Sequence, residues 1–344
     1  VRFLSSIVAL IACVTVAAAQ NPATPDLASL GRPSQPHVRI MTWNIATNSI
    51  FADPGVRRAA DLDGGRPAQF ARIMRALRPD VVCLQEVFPP RTAEDVGPLL
   101  DSIAPLGGNR RWRAWGVRDV VIATSGSLSM RAARVEDWGS RVTRAHAMAL
   151  VTFPPERGVP SLYVVGVHMQ SQSQPSDIAA RQRHADAIVQ WLRELRAPTA
   201  SGGLSPGTPF IVLGDFNAYH TDPARHLQTL ITGAIADTVR FGRGFAPDWD
   251  GTALADAAPL HNRVGPATYT FGDGAGPPPP AALDRILYTD SRLTLLGAFV
   301  LDTMTLDPAT LSRLGLQRTD VLLNATTGRY DHLPVVADFA ARQN

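Results

Sequence analysis

The chain has 344 residues, of which 45% are hydrophobic and 18% charged, enough to fill a large core and too apolar for a disordered polymer. Its formal net charge is only +3 and all 33 basic residues are arginine, so the charge balance is not the footprint of a general nucleic-acid binder. Its 2 cysteines show no paired spacing, which argues against a disulfide scaffold and against a cysteine-ligated zinc site.

At the N-terminus, Arg2, an apolar run over residues 3–16 and Ala17-Ala18-Ala19 follow the order of a secretory signal peptide over residues 1–19. The run is shorter than the ~20 residues of a spanning helix. The expectation is a secreted or periplasmic protein. The alternative is a lipoprotein anchored through Cys13, which follows Leu10-Ile11-Ala12. Residues 20–36, rich in Pro, Ser, Ala and Asn, read as a flexible tether, and 37–344 as a single domain.

Within that domain, apolar runs over 38–43, 81–84, 120–123, 146–153, 162–167, 210–213, 283–288 and 334–339 predict strands. Residues 68–77 place Phe70, Ile73, Met74 and Leu77 on one helical face, and Arg78-Pro79 ends it. A longer helix is predicted over 175–196. Gly- and Pro-rich stretches at 200–209 and 272–280 read as surface loops, and Cys83, inside an apolar run, as a buried core thiol. The irregular alternation of helix and strand suits an α/β sandwich better than a barrel.

One device repeats along the chain: an apolar strand meets carboxylates, carboxamides or imidazoles at its end. It occurs at Asn44, Glu86, His168, Asp215 with Asn217, Asp284, and Asp331 with His332. A rigid sheet holds side chains at its strand ends with little play. Oxygen donors and imidazoles, with no Ser or Cys nucleophile beside a base, suit a hard divalent cation and a phosphate group. Taken alone, each pair also reads as a turn, a solvated loop or a helix cap. Their joint order is the informative feature.

The blocks Met41-Thr42-Trp43-Asn44-Ile45, Leu84-Gln85-Glu86-Val87, Val165-Gly166-Val167-His168-Met169, Leu213-Gly214-Asp215-Phe216-Asn217, Leu283-Asp284-Arg285-Ile286-Leu287 and Asp331-His332-Leu333-Pro334-Val335 resemble the endonuclease/exonuclease/phosphatase superfamily, with its nucleases, sphingomyelinases and inositol-polyphosphate phosphatases. The resemblance implies an α/β fold, a four-layer sandwich of two stacked mixed sheets flanked by helices. It implies a metal site at Glu86, with Asn44 and Asp331 nearby, for Mg²⁺ or Mn²⁺. It also implies a water-activating Asp215, a phosphate-orienting Asn217, a phosphate-contacting His332 oriented by Asp284, and a donor at His168. The acidic partner expected for His168 is Asp119, whose other reading is a solvated strand-entry charge. The remaining histidines (His37, His146, His184, His220, His226 and His261) receive no role.

The function expected is a secreted, Mg²⁺-dependent hydrolase of phosphoric esters, a phosphodiesterase. The alternatives are a phosphomonoesterase or a catalytically silent binding protein on the same fold. The partner expected is a phosphate-ester substrate, from nucleic acid or a phospholipid headgroup; no protein partner is implied, and the protein is expected to be a monomer. Arginine clusters at Arg110-Arg111-x-Arg113 and from Arg131 to Arg144 read as solvated faces. Trp112 and Trp115 alternate with arginine and make a weak case for a membrane-binding hairpin.

Overall fold

A computed structural model describes residues 30–53, 65–136, 144–197, 203–219, 225–272 and 279–343. The expected signal peptide with Cys13, residues 20–29 of the tether, His220 and most of the 272–280 loop lie outside the described residues.

Among the described residues thirteen strands form two sheets. In chain order they are β1 (Val38–Asn44), β2 (Val81–Gln85), β3 (Arg113–Val117), β4 (Val120–Thr124), β5 (Ser127–Glu136), β6 (Arg144–Thr152), β7 (Leu162–His168), β8 (Phe210–Asp215), β9 (Ala255–Asp256), β10 (Leu260–His261), β11 (Asp284–Tyr288), β12 (Leu293–Val300) and β13 (Val335–Ala341). The helices are α1 (Arg66–Leu77), α2 (Ala93–Ile103), α3 (Pro175–Arg196), α4 (Arg225–Thr232), α5 (Thr238–Phe241) and α6 (Pro308–Leu314). One sheet has seven strands in the order β10-β12-β13-β1-β2-β4-β3, the other six in the order β5-β6-β7-β8-β11-β9. This is the mixed-sheet α/β sandwich expected.

Parallel neighbours need a crossover, and the helices supply it. α1 joins β1 to β2 and α3 joins β7 to β8, both pairs being parallel. Side chains alternate along each strand. In β7 and β8, Val164, Ile211 and Leu213 face the other sheet, while Tyr163, Val165, Phe210 and Val212 face α3 with Ile188, Val189 and Leu192. Gly166 shares the inward phase, and a Cβ there would sit 2.7 Å from Cys83 Sγ, so only glycine lets the sheets close at this point. His168 and Asp215 continue the same phase beyond the apolar run. Cys83 is buried, as expected, and burial pushes its thiol up to about 12.

The last residues of the expected tether are packed on the domain. Leu30 is buried, and the carbonyls of Leu30 and Gly31 accept from Arg39 at 3.0 and 2.7 Å. The same guanidinium pairs bidentately with Asp338 at 2.8 Å. A fully buried arginine needs all its donors matched, and residues 30 and 31 complete the set. The composition of this stretch resembles a linker; its backbone carbonyls do the anchoring.

Candidate active site

β1, β2, β7 and β8 end at one edge of the sandwich. β11 is antiparallel to β8, with Asp284 opposite Asp215, and β13 is antiparallel to β1, with Val335 opposite Thr42. Residues just before or at the start of β11 and β13 therefore reach the edge where the other strands finish. A cavity of about 560 Å³ opens there, lined by Asn44, Glu86, His168, Asp215, Asn217, Asp331 and His332. Asp284 stands behind His332. The structure thus brings all eight nominated residues together.

Asp215 is the hub. Its Oδ1 accepts from the backbone N–H of Asn217 at 2.8 Å. Its Oδ2 accepts from Asn44 Nδ2 at 3.2 Å across the two sheets. The same Oδ2 lies 3.5 Å from His168 Nε2 and 3.8 Å from His332 Nε2. Those two distances are too long for direct hydrogen bonds and suit one oxygen held among the three groups. Asn217 adopts φ 48°, a left-handed conformation asparagine tolerates, and its Nδ2 donates to the Met169 carbonyl at 3.0 Å. One amide hydrogen is thereby fixed to the backbone, which sets the plane of the carboxamide.

His332 is held on several sides. Its Nδ1 donates to Asp284 Oδ2 at 2.7 Å, and Thr270 Oγ1 donates to the same oxygen at 2.6 Å. Trp43 Nε1 donates to its carbonyl at 2.9 Å, and the Phe271 ring lies 4.9 Å from the imidazole. Burial alone would push the imidazole down. Asp284 and Asp215, the hydrogen bond to Asp284, and Asp331 outweigh burial and hold it well above its ordinary value. Burial pushes Asp284 up as well, so the pair keeps its proton.

Glu86 occupies the other wall at φ 69°, an uncommon backbone for a glutamate. Its Oε2 accepts from Thr47 N and Thr47 Oγ1 at 2.8 and 2.9 Å, and Oε1 from Asn44 Nδ2 at 3.3 Å. Burial, then repulsion from Glu86 and Asp215, raises Asp331 against the pull of His332. Two carboxylates that repel each other beside a carboxamide are an oxygen donor set for a hard cation. Among the described residues no group of three His, Cys, Asp or Glu forms a closed metal site. Mg²⁺ does not require one, because it keeps several waters and takes one or two carboxylates. The residues fit such an ion.

Asp119 settles its two readings by position. It occupies the two-residue turn between β3 and β4, is buried, and accepts from His168 Nδ1 at 2.6 Å. Burial would raise its carboxyl; His168 and then Arg144 hold it below the usual range. Arg144 was not expected here. The run from Arg131 to Arg144 reads in sequence as a solvated face, yet Arg144 is buried, lines the cavity, donates from Nη1 to Asp119 Oδ2 at 3.0 Å and lies 3.0 Å from His168 Nδ1. The cause is register. β6 pairs His146 with Val167, which carries Arg144 past the end of β7 to the side of His168. Trp112 is buried with Nε1 donating to Ala104 O at 2.8 Å, and Trp115 is half-buried beneath Arg131, so neither is a membrane-facing aromatic.

The profile of the Endonuclease/Exonuclease/phosphatase family matches residues 41–305. An endonuclease/exonuclease/phosphatase from Bacteroides vulgatus has a similar structure, with TM-score 0.56 and 16% identity, covering 90% of this chain and 100% of that one. A family protein from Bacteroides thetaiotaomicron gives 0.54 and 12%, covering 90% and 98%. Truncated TDP2 from Caenorhabditis elegans gives 0.53 and 15%, covering 89% and 98%. At these identities the likeness is one of fold. No curated protein matches the sequence.

Proposed function

This chain belongs to the endonuclease/exonuclease/phosphatase family of phosphoester hydrolases, and from that premise we propose that it is an exported, Mg²⁺-dependent phosphodiesterase. The observation that carries the reading is the placement of Asp215 Oδ2 within 3.5 and 3.8 Å of two imidazole Nε2 atoms. Each imidazole is backed by a buried carboxylate, Asp119 behind His168 and Asp284 behind His332. A diester hydrolase needs a base for water, a cationic donor for the phosphoryl oxygen and a proton for the leaving oxygen. One carboxylate between two supported imidazoles provides all three.

Family enzymes are generally dependent on a divalent metal, and Glu86, Asn44 and Asp331 are the residues that would hold it. When bound, Mg²⁺ supplies Lewis-acid charge beside the phosphate oxygens. Asp215 Oδ2 orients the attacking water and takes its proton as the new P–O bond forms. His332, protonated through its pairing with Asp284, donates from Nε2 to the phosphoryl oxygen that gains charge. Asn217 orients the phosphate. As the bond to the leaving oxygen breaks, His168 donates a proton to that oxygen.

The test is hydrolysis of bis(p-nitrophenyl) phosphate with Mg²⁺ and with excess EDTA. Turnover should require the ion, and Glu86→Gln should raise the Mg²⁺ concentration needed while the fold is kept. Undiminished turnover in EDTA removes the metal from the reading, and cleavage of the monoester alone removes the diester. Export is tested separately by N-terminal sequencing of protein recovered outside the cytoplasm. The expected product starts after Ala19; a lipid-modified Cys13 supports anchoring instead.

A further inference from the structure

A second cavity, of about 820 Å³, lies at the opposite edge of the sandwich, where β1 and β2 begin. β1 is 7 residues long, and at ~3.3 Å per residue the two cavities are roughly 20 Å apart. The rear cavity shares no lining residue with the catalytic one.

Its construction combines two chemistries. Ile103, Pro105 and Leu106 line it with apolar surface, while the guanidinium groups of Arg75, Arg78 and Arg110 stand exposed around it. Among the described residues none of these three arginines forms an ion pair. Arg75 Nε donates to the Ile103 carbonyl at 2.8 Å and Arg110 to that of Leu106, which aims both toward the cavity without neutralising them. Asp80 is committed elsewhere, to Arg32 at 2.6 Å, Arg157 at 2.9 Å and the backbone N–H of Arg39 at 2.9 Å. Glu156, exposed at the margin, is the other acid of the lining. The size falls in the usual range for small organic ligands, and the pattern of apolar lining with a few placed charges is that of a ligand site.

We propose that this cavity binds a single-chain alkyl phosphate. Its head lies among Arg75, Arg78 and Arg110 and its alkyl body on Ile103, Pro105 and Leu106. Three guanidinium groups match a dianionic phosphate monoester better than a singly charged carboxylate, and their forked donors fit phosphate oxygens in pairs. An inorganic anion would leave the apolar lining uncovered, and an uncharged amphiphile would leave the arginines unmatched. The site is independent of the catalytic reading.

The experiment is calorimetric titration of the full chain, in EDTA, with dodecyl phosphate below its micelle-forming concentration. One site is expected, with the same affinity in the Asp215→Asn protein. Inorganic phosphate, dodecanoate and dodecyl maltoside should each bind roughly tenfold more weakly or worse. The double variant Arg75→Ala/Arg78→Asn should lose roughly tenfold in affinity with unchanged hydrolysis of the aryl diester; Asn at residue 78 keeps its left-handed backbone, φ 47°. Equal binding of inorganic phosphate or of the maltoside overturns the proposal, as does an affinity the double variant does not change.

Discussion

At the front edge of the sandwich Asp119, Asp215 and Asp284 are 1–2% exposed, and an imidazole faces each of them. At the rear edge Arg75, Arg78 and Arg110 stand in solvent without a carboxylate partner among the described residues. The front set sits on strands or the turn between two of them, the rear set on α1, its C-cap and the segment between α2 and β3. The difference lies in hydration. A buried charge is tolerated only when its partners are in place, so the front groups are fixed before any ligand arrives. A solvated charge costs little to keep and contributes little until a ligand removes its water. Substitutions at the front should therefore act on rate, and substitutions at the rear on binding alone.

The largest effect should come from the His332–Asp284 pair. His332→Ala and Asp284→Asn should each lower turnover by ~10²–10³-fold at saturating Mg²⁺. The double variant should be little worse than His332→Ala, because Asp284 acts only through the imidazole. A double-mutant cycle on turnover decides this, and multiplying defects would separate the two residues. Next comes Asp119→Asn, which removes the carboxylate shared by His168 and Arg144 and should slow turnover by roughly 10–100-fold. Its effect should shrink for substrates whose leaving group needs no proton, which comparison of aryl and alkyl esters measures.

A smaller effect concerns stability and two buried histidines that line neither cavity. Burial, followed by His146 and nearby arginines, lowers His184 to about 2, and burial with Arg181 lowers His226 to about 4, from an ordinary 6.5. Below pH 6.5 the unfolded chain takes up protons that the folded chain refuses. Stability therefore falls with falling pH, from 6.5 down to about 4 for His226 and about 2 for His184. The slope is about 1.4 kcal/mol per pH unit for each group. Between pH 7 and 5 the urea midpoint of the wild type should fall more steeply than that of His184→Phe; parallel lines would assign the acid sensitivity to other groups. The smallest effect is expected at the rear, where Arg75→Ala/Arg78→Asn should leave the urea midpoint within the equivalent of about 0.5 kcal/mol.

Much of the front edge was legible because its residues follow apolar runs. The strand predicted over 210–213 ends beside Asp215 and Asn217, and the helix predicted over 175–196 coincides with α3. Elements with weaker patterns escaped. β12 shifts register between Leu295 and Gly297 and is only partly buried through its middle, so it shows no clean alternation. α2 carries Pro98 inside it, which hides a helix whose Thr92 and Asp95 nevertheless form a capping box. Arg144 resembles every other arginine in its run. Only the pairing of β6 with β7 distinguishes it, and pairing is a property of two distant segments. The rear cavity is of the same kind: α1, the segment after α2 and residues 32–37 meet there without any shared motif.

β13, the last strand, does not lie at the margin of its sheet but between β12 and β1. Its Asp338 pairs with Arg39, 299 residues away, at 2.8 Å. Without β13 the seven-stranded sheet would be split in two, with β1 and β12 each presenting an unfilled edge. His332 stands just before β13, so one segment contributes both to the hydrophobic core and to the group of side chains around Asp215. A variant lacking β13 would lose, together, the strand that joins β1 to β12 and the backbone that holds His332.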